Sequence, residues 1–355
     1  MKKLTATILT LFCLLGLLAS LAGCSQNGAK SSDPQGIVYF NWFDTVTTIY
    51  SYAGDPTEQF DDCSAGISRI LTEYHQLFDI YNEYSGINNL CTVNKNAGGE
   101  KIKVDRKLID FLLYARELYE LTQGEMNVMM GSVLKLWHDC RTLAFDDPSK
   151  SALPDDSALK EAAAHTAFDM LEIDEAGCTV RITDPLARID VGALGKGYAA
   201  EKAAEYLEGL GVEHYILDVG GNIRVIGDKS EGKGFSTAIK DPLDPDTKYA
   251  AVVELKDTAC VTSGVYERFF NVDGKQYHHI IDKDTLYPAE YFLSVSIITR
   301  DSGLADALST ALFCMSYEDG KELVNGLEGV EVIWIDHGGN MLCTDGIADM
   351  LVEGY

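Results

Sequence analysis

The chain has 355 residues, of which 24% are charged and 46% hydrophobic, and this composition is typical of a globular protein rather than a disordered one. It carries 29 Lys and Arg residues against 55 Asp and Glu residues, a formal net charge of -26. Because so acidic a chain repels the phosphate backbone of DNA or RNA, we expect no nucleic-acid partner. The length suits one large domain or two smaller ones.

The N-terminal segment has the pattern of an export signal. Lysines precede an apolar run over residues 4–22, and Gly23 stands directly before Cys24. This order predicts a signal peptide over residues 1–23 and lipid attachment at Cys24. An apolar run of this length could also span a bilayer as an anchor, but the polar residues at 24–35 favour a lipidated tether. We therefore expect the protein at the cell membrane, lipid-anchored on its extracytoplasmic side.

The cysteines do not suggest a disulfide framework. Nine are present, and an odd number remains once Cys13 in the signal and Cys24 are set aside, with no C-x-x-C pair. Their scattered spacing also argues against a structural zinc site. At least one thiol is therefore expected to stay free or to pair outside the chain.

The rest of the chain alternates between strand and helix patterns. Strands are predicted as a pair within residues 36–52, singly at 179–183, 215–219, 222–227, 235–239, 250–255 and 293–299, and as a hairpin at 331–342. Helices are predicted at 59–78, 108–121, 158–164, 198–210 and 305–315. A turn-rich stretch at 144–160 is the strongest candidate for a sub-boundary or an insertion within a domain spanning 36–355. The order predicts an α+β fold of mixed sheets flanked by helices.

A glycine-rich turn joins a predicted strand to a helix at residues 188–200. Asp190 ends the strand, and three glycines surround Lys196. Glycines at a helix start let backbone N–H groups approach an anion, and a lysine adds positive charge. The hydroxyl that follows the lysine of a Walker A loop is missing. A tight turn with a solvated lysine explains the pattern as well as a phosphate site does.

The predicted helix at 305–315 places Asp306 and Thr310 one turn apart on the same face. A carboxylate and a hydroxyl in this arrangement suit a hard cation such as Mg²⁺, which prefers oxygen ligands. The alternative is an acid favoured by the helix dipole and a threonine bonded to its own backbone.

Two further segments combine polar and apolar residues. Residues 260–288 contain His279, three residues before an aspartate, and a histidine there can act as a general acid or base. A buried structural histidine is the alternative. Residues 124–137 include Met126 and Asn127 and suit a plain core equally well.

Taken in order, these segments resemble the FAD:protein FMN transferases, the ApbE-like flavin transferase family. Its patterns F-D-x-T-V-G-P-L-x-x-L-W, D-L-G-x-I-A-K-G-Y-A, T-S-G-D-Y-x-R, H-I-I-D-P-x-T-G-x-P and A-D-A-L-A-T-A correspond to residues 126–137, 190–199, 262–268, 279–288 and 305–311. The similarity extends over nearly the whole mature chain, beginning at Phe43-Asp44-Thr45. Leu286 stands where the family commonly has glycine, so its turn is expected to be built differently.

The resemblance implies an ApbE-like, T-fold-like architecture with an inserted helical region. It implies an enzyme that takes FAD as substrate, uses Mg²⁺ at the pyrophosphate and transfers FMN to a threonine or serine hydroxyl of a partner, releasing AMP. The implied partner is an exported redox protein that carries a flavinylation motif.

The same resemblance assigns roles to individual residues. Asp306, Thr310 and the backbone carbonyl of Ala193 would bind the metal, and His279 would move the proton of the acceptor hydroxyl. The residues implied to contact the flavin nucleotide are Phe43, Tyr81, Met126, Asn127, Asp190, Lys196 and Ile281.

Two other functions remain compatible with these residues. One is a Mg²⁺-dependent FAD pyrophosphatase, in which water replaces the acceptor hydroxyl. The other is a non-catalytic flavin-binding lipoprotein, which would need Tyr81 and Asp190 but neither the metal ligands nor His279.

Overall fold

An eight-stranded antiparallel sheet organises the fold. In spatial order its strands are β1 (Gln35–Trp42), β2 (Thr45–Ser51), β6 (Tyr215–Val219), β7 (Asn222–Ile226), β10 (Ala259–Gly264), β13 (Ser294–Thr299), β14 (Glu331–Ile335) and β15 (Met341–Cys343). This computed structural model describes residues 34–54 and 57–354, which belong to one compact unit. The signal peptide predicted over residues 1–23 and the lipidation site Cys24 lie outside the described residues.

Eight helices are found in the described part of the chain. They are α1 (Thr57–Phe78), α2 (Leu90–Lys95), α3 (Arg106–Leu121), α4 (Gly131–Asp146), α5 (Asp156–Ala163), α6 (Gly195–Gly209), α7 (Ser302–Phe313) and α8 (Tyr317–Asn325). Short 3₁₀ turns occur at Pro148–Lys150, Phe168–Met170 and Asp345–Asp349. Within the described residues, no helix is long and apolar enough to cross a bilayer.

Three smaller sheets complete the structure. Their strands are β3 (Ile102–Lys103), β5 (Thr179–Ile182) and β4 (Leu171–Asp174) in the first, β8 (Phe235–Lys240) and β9 (Tyr249–Leu255) in the second, and β11 (Phe269–Val272) and β12 (Lys275–His278) in the third. The pair β8–β9 shares a hydrophobic cluster with β7, β13 and β14.

Helix α7 lies at the centre of the packing. Ten of its 12 residues are buried, and it packs against α6, β10 and β13. Every residue of β13 is buried as well, because α7 contacts the strand while the β8–β9 cluster includes Ile298 from the same strand. Alanines at Ala200, Ala203 and Ala307 are fully buried and let α6 approach its neighbours closely.

Helices α4 and α5 form the inserted helical region. They share a small core with β11 and β12 that includes Trp137, Leu159 and Phe270. The turn-rich residues 144–160 connect these two helices inside the same compact unit.

The expected α+β class and the mixed arrangement of sheets and helices are confirmed. The pattern-based assignment lacks three helices (α2, α4 and α8) and five strands (β3, β4, β10, β11 and β12). Helix α4 escapes detection because only four of its 16 residues are buried and its N-terminus lacks a side-chain cap.

Candidate active site

The glycine-rich turn after residue 188 is held from two sides. The Asn94 side chain accepts a hydrogen bond from the Ile189 N–H at 2.7 Å and donates one to the Ile189 carbonyl at 2.9 Å. The next residue, Asp190, donates its backbone N–H to the Val128 carbonyl at 2.8 Å. These contacts bring the segment around residue 128 beside Asp190, although the two are far apart in sequence.

Asp306 caps the N-terminus of α6 from the neighbouring helix. Its Oδ2 accepts a hydrogen bond from the Gly197 N–H at 2.8 Å, and its Oδ1 lies 3.5 Å from the Lys196 ammonium. The cap position of α6, Leu194, offers no side-chain acceptor of its own. A carboxylate buried at a helix N-terminus is favoured by the exposed N–H groups and the helix dipole.

Close approach of α6 and α7 makes this contact possible. A Cβ on Gly197 would lie 2.3 Å from the Ser302 carbonyl oxygen and 2.4 Å from the Asp306 Cβ. Only glycine allows the two backbones to meet here.

Thr310 follows Asp306 by one turn on α7 and is half-buried. The adjacent Ser309 is fixed by hydrogen bonds to the Asp306 carbonyl and to the Ser263 hydroxyl of β10, both at 2.8 Å. The serine of the T-S-G segment therefore anchors the helix that carries the predicted metal ligands.

The predicted magnesium ligands fit the preferences of that ion. They comprise one carboxylate (Asp306), one hydroxyl (Thr310) and one backbone carbonyl (Ala193), all hard oxygen donors. Mg²⁺ commonly binds through one or two carboxylates and completes its shell with water and substrate phosphates. No cluster of three His, Cys, Asp or Glu side chains suited to a metal occurs in the described residues.

Tyr81 lies on a loop whose conformation is stabilised by hydrogen bonds to the Asp79 side chain. The Asp79 carboxylate accepts hydrogen bonds from the backbone N–H groups of Tyr81 and Asn82, at 2.7 and 2.9 Å, and from the Tyr84 hydroxyl at 2.8 Å. Burial acts to raise the pKa of Asp79, but these hydrogen bonds outweigh it and lower the pKa below its usual value. The loop leaves the Tyr81 ring 57% exposed.

Phe43 lies in the tight turn between β1 and β2. Phe43 and Asp44 both adopt the left-handed conformation, with φ of 54° and 51°, as the two central residues of a type I′ hairpin require. The Phe43 ring packs edge-on against His75, with ring centroids 5.5 Å apart.

His278 and His279 have different environments. His278 is buried, and its ring contacts the Ala289 carbonyl and the Ile280 N–H, so it is a structural residue. His279 is half-buried, and its Nδ1 donates to the Arg268 carbonyl at 3.1 Å, which leaves Nε2 as the proton acceptor. Burial, followed by the Arg268 charge, lowers the pKa of His279 to about 3.

Three residues that the motifs did not assign complete the electrostatics of the site. His138 and Arg141 come from α4, and Arg268 follows β10. The charges of Arg268 and Arg141, and that of His138 when it is protonated, act to lower the pKa of Asp190, but burial prevails and raises the pKa of that carboxyl above its usual range. Arg268 stands inside a recognisable motif, whereas Arg141 is indicated only by the helical spacing that places it one turn after His138.

This geometry occurs in a chain that matches the ApbE family over residues 43–334. A Treponema pallidum relative named FAD:protein FMN transferase is 33% identical over 86% of this chain and 85% of its own length. The chain belongs to the ApbE family.

Other ApbE proteins cover the chain just as fully. A Haemophilus influenzae relative of the same name is 27% identical over 95% of each chain. A crystal structure of the ApbE protein from Thermotoga maritima covers 90% of this chain and all of its own, with a TM-score of 0.78 and 27% identity. The flavin transferase ApbE from Vibrio cholerae shares the fold, with a TM-score of 0.72 and 23% identity.

Within this ApbE fold, seven of the predicted site residues fall into two groups. Asp190, Lys196 and Asp306 are linked through Gly192, whose N–H binds the Asp190 carboxylate and whose carbonyl accepts from Lys196. Tyr81 is coupled to Asp190 because that carboxylate, after burial, raises the pKa of the phenol to about 12. Asp190, Lys196 and Asp306 therefore form one cluster, and Tyr81 lies within electrostatic range of it.

The second group is buried in the core or engaged in other hydrogen bonds. Met126 is 1% exposed and packs in the main core, and Ile281 is 9% exposed. The Asn127 amide donates to the Thr166 carbonyl and accepts from the Met129 N–H, each at 2.9 Å. Contacts of these three residues with a flavin stay predictions, and for Met126 they are limited to its backbone in this conformation.

The turn at Leu286 keeps the shape that glycine would give it. Leu286 has a φ of 64°, and its N–H bonds to the Asp282 carbonyl at 2.9 Å. Its carbonyl accepts from the Trp137 indole at 2.9 Å, and this contact to α4 helps to hold a leucine in a conformation that is unfavourable for it.

Proposed function

We propose that this protein is an FAD:protein FMN transferase, which moves FMN from FAD to a threonine or serine hydroxyl of an acceptor protein and releases AMP. The single observation that carries the proposal is the cluster of Asp190, Lys196 and Asp306 at the α6–α7 contact, within a chain of the ApbE family. Relatives of that family bear this enzyme name.

Bound Mg²⁺ would supply positive charge to the pyrophosphate oxygens, and Asp306, Thr310 and the Ala193 carbonyl are the groups that would hold it. The transfer of a phosphoryl group depends mostly on positioning and on electrostatic stabilisation. Lys196 adds a fixed positive charge at the N-terminus of α6, where the helix dipole also favours an anion.

His279 is the residue suited to take the proton of the attacking hydroxyl. The acceptor oxygen forms a bond to the FMN-side phosphorus, the bond from that phosphorus to the AMP oxygen breaks, and the hydroxyl proton passes to Nε2 of His279. The Arg268 carbonyl fixes the tautomer that leaves Nε2 free. Because the pKa of His279 is lowered, its imidazole is neutral across the physiological pH range.

Tyr81 offers an exposed aromatic face for the isoalloxazine ring. Flavins stack on such faces, and the ring of Tyr81 is backed by His138 at a centroid distance of 5.3 Å. The Asp190 carboxylate influences the Tyr81 phenol, which supports a role for Asp190 as a hydrogen-bond acceptor for the flavin nucleotide.

We also propose that the protein works at the cell membrane, anchored outside the cytoplasm through a lipid on Cys24. The N-terminal sequence pattern supports this location. The expected acceptor is therefore an exported redox protein.

The test is intact-mass spectrometry of a candidate acceptor after incubation with the protein, FAD and Mg²⁺, together with chromatography of the nucleotides. Acceptor mass increased by one phosphoester-linked FMN, with an equal amount of AMP released, is the expected result. Free FMN and AMP with an unmodified acceptor would identify a pyrophosphatase instead. Intact FAD, with several acceptors tried, would contradict any turnover and leave a flavin-binding protein.

A further inference from the structure

Two arginines outside the assigned residues lie next to the candidate active site. Arg141 is half-buried on α4, whereas Arg268 is exposed after β10. The Arg268 carbonyl holds His279, so its side chain starts beside the candidate base.

Arg141 is held by a neutral partner. Its Nη2 donates to the His138 Nδ1 at 3.0 Å. Burial lowers the pKa of His138, and the Arg141 charge lowers it further, so the imidazole stays neutral and accepts this hydrogen bond. The His138 ring in turn packs against Tyr81. The guanidinium is therefore hydrogen-bonded to a neutral ring that itself packs against Tyr81.

Neither guanidinium has a carboxylate within 4.0 Å in the part of the chain that the structure describes. Burial lowers the pKa of Arg141, and the Arg268 charge lowers it further, against smaller opposing effects of Tyr81 and Asp190. By contrast, carboxylates raise the pKa of Arg106 and Arg300. A desolvated cation beside a like charge is unfavourable unless an anion joins it.

We propose that Arg141 and Arg268 form a clamp for the phosphoryl oxygens of the dinucleotide substrate, an inference that rests on the proposed function. A guanidinium presents two parallel N–H groups, which match two oxygens of a phosphate. Both arginines act electrostatically on Tyr81 and Asp190, the two residues expected to contact the flavin nucleotide.

The net negative charge of the protein makes a local positive site necessary for binding a pyrophosphate. A protein with a net charge of -26 repels a pyrophosphate, so binding requires local positive centres. Lys196 supplies one such centre at one end of the glycine turn, and the arginine pair supplies a second beside Asp190, at the other end.

The experiment compares the binding of FAD and of riboflavin, which lacks phosphate, to the full protein and to Arg141→Gln and Arg268→Gln, by flavin fluorescence. We expect each substitution to weaken FAD binding by about tenfold or more, since charge-assisted hydrogen bonds are lost. Riboflavin binding should change by less than about twofold, because no phosphate is involved. The dependence of FAD affinity on salt concentration should also become shallower in both variants.

Arg69→Gln is the matched control. Arg69 is exposed on α1, and the substitution removes the same single positive charge. It should bind FAD as the unaltered protein does. Arg141→Lys should recover part of the affinity, since it keeps the charge but loses the planar fork.

Three outcomes would overturn the clamp. Unchanged FAD binding would do so, and so would equal weakening of FAD and riboflavin, which would place the arginines against the flavin ring. A rise confined to the KM for the acceptor would show that they bind the acceptor protein. Calorimetry can also measure the binding of inorganic pyrophosphate in the presence of Mg²⁺, which does not require FMN transfer. The clamp proposal can therefore fail or hold independently of the proposed function.

Discussion

Asp306 on α7 caps α6 by accepting a hydrogen bond from the Gly197 N–H at 2.8 Å. The same carboxylate is the one acidic side chain among the proposed metal ligands, so its structural and catalytic roles must be separated by substitution. Asp306→Asn separates the two roles, because it keeps an oxygen that can accept the hydrogen bond but removes the negative charge.

Asp306→Asn is expected to retain most of the cap and to lose most of the activity. Its free energy of unfolding should fall by about 1 kcal/mol or less, whereas Asp306→Ala should lose about 1–2 kcal/mol, because the cap is then absent. The Mg²⁺-dependent transfer rate should fall by at least about 100-fold in both variants, since neither can bind the cation as a carboxylate does. Urea unfolding and the transfer assay measure the two effects.

Asp301→Asn serves as the control, because Asp301 caps α7 but is not a proposed ligand. Full transfer activity in Asp306→Asn would contradict the assignment of the metal site.

Two glycines of α6 are expected to respond to alanine in opposite directions. Gly197→Ala should destabilise the protein by about 1–3 kcal/mol, because its Cβ would press on the Ser302 carbonyl and on Asp306. Gly209→Ala should stabilise it by about 0.5–1 kcal/mol, because no heavy atom lies within 4 Å of the added Cβ. Denaturant unfolding of both variants gives the comparison, and equal effects would show that α6 and α7 are not in close contact.

The pH dependence of kcat/KM should report the unusual state of His279. Because its pKa is lowered from 6.5 to about 3, protonation of the base begins only well below neutral pH. We expect kcat/KM for the acceptor to change by less than about twofold from about pH 8 to about pH 5. Loss of half the rate near pH 6.5 would show that the base titrates as an ordinary histidine.

His279→Ala provides the control for that profile. It should lower kcat by roughly 100-fold to 10,000-fold while FAD still binds, since general base catalysis alone is removed. An unchanged kcat would assign the proton to another group.

Asp79→Ala is expected to disorder the loop that carries Tyr81. The carboxylate bonds two backbone N–H groups and the Tyr84 hydroxyl, so its removal should weaken flavin binding by about tenfold and stability by about 1–2 kcal/mol. Tyr84→Phe removes one of these bonds and should show a smaller loss of both. Titration with riboflavin measures the effect, and unaltered affinity would argue against Tyr81 as a flavin contact.

The spacing of apolar residues, together with the turn residues between segments, predicted most strands of the large sheet and five of the helices. These elements bury one face against a core, so their apolar residues recur at a regular interval. The motif order also assigned Asp190, Lys196 and Asp306 to one site, and the three lie together in the structure, while their roles stay predictions. Helix α4 could not be found this way, since its apolar contacts are few and lie against β11 and β12, which are themselves short.

The position of Arg141 could not be predicted from the sequence, because it lies on α4, the helix that the pattern did not reveal. Its place beside the site depends on how α4 docks, and docking is set by long-range packing such as Trp137 against Phe270. The different roles of His278 and His279 likewise depend on burial, which adjacent positions in a sequence do not reveal.

The side-chain amide of Asn94 pairs with the backbone of Ile189 as a residue of a neighbouring β-strand would. It accepts a hydrogen bond from the Ile189 N–H and donates one to the Ile189 carbonyl. Because this pairing bridges 95 positions of the chain, the location of Asp190 is set from the N-terminal half and does not depend on the length of what lies between. The connection at residues 148–152, which is exposed except at Ser151, is therefore where we expect the chain to accept inserted sequence, such as an epitope or a fluorescent domain, without displacing the glycine turn.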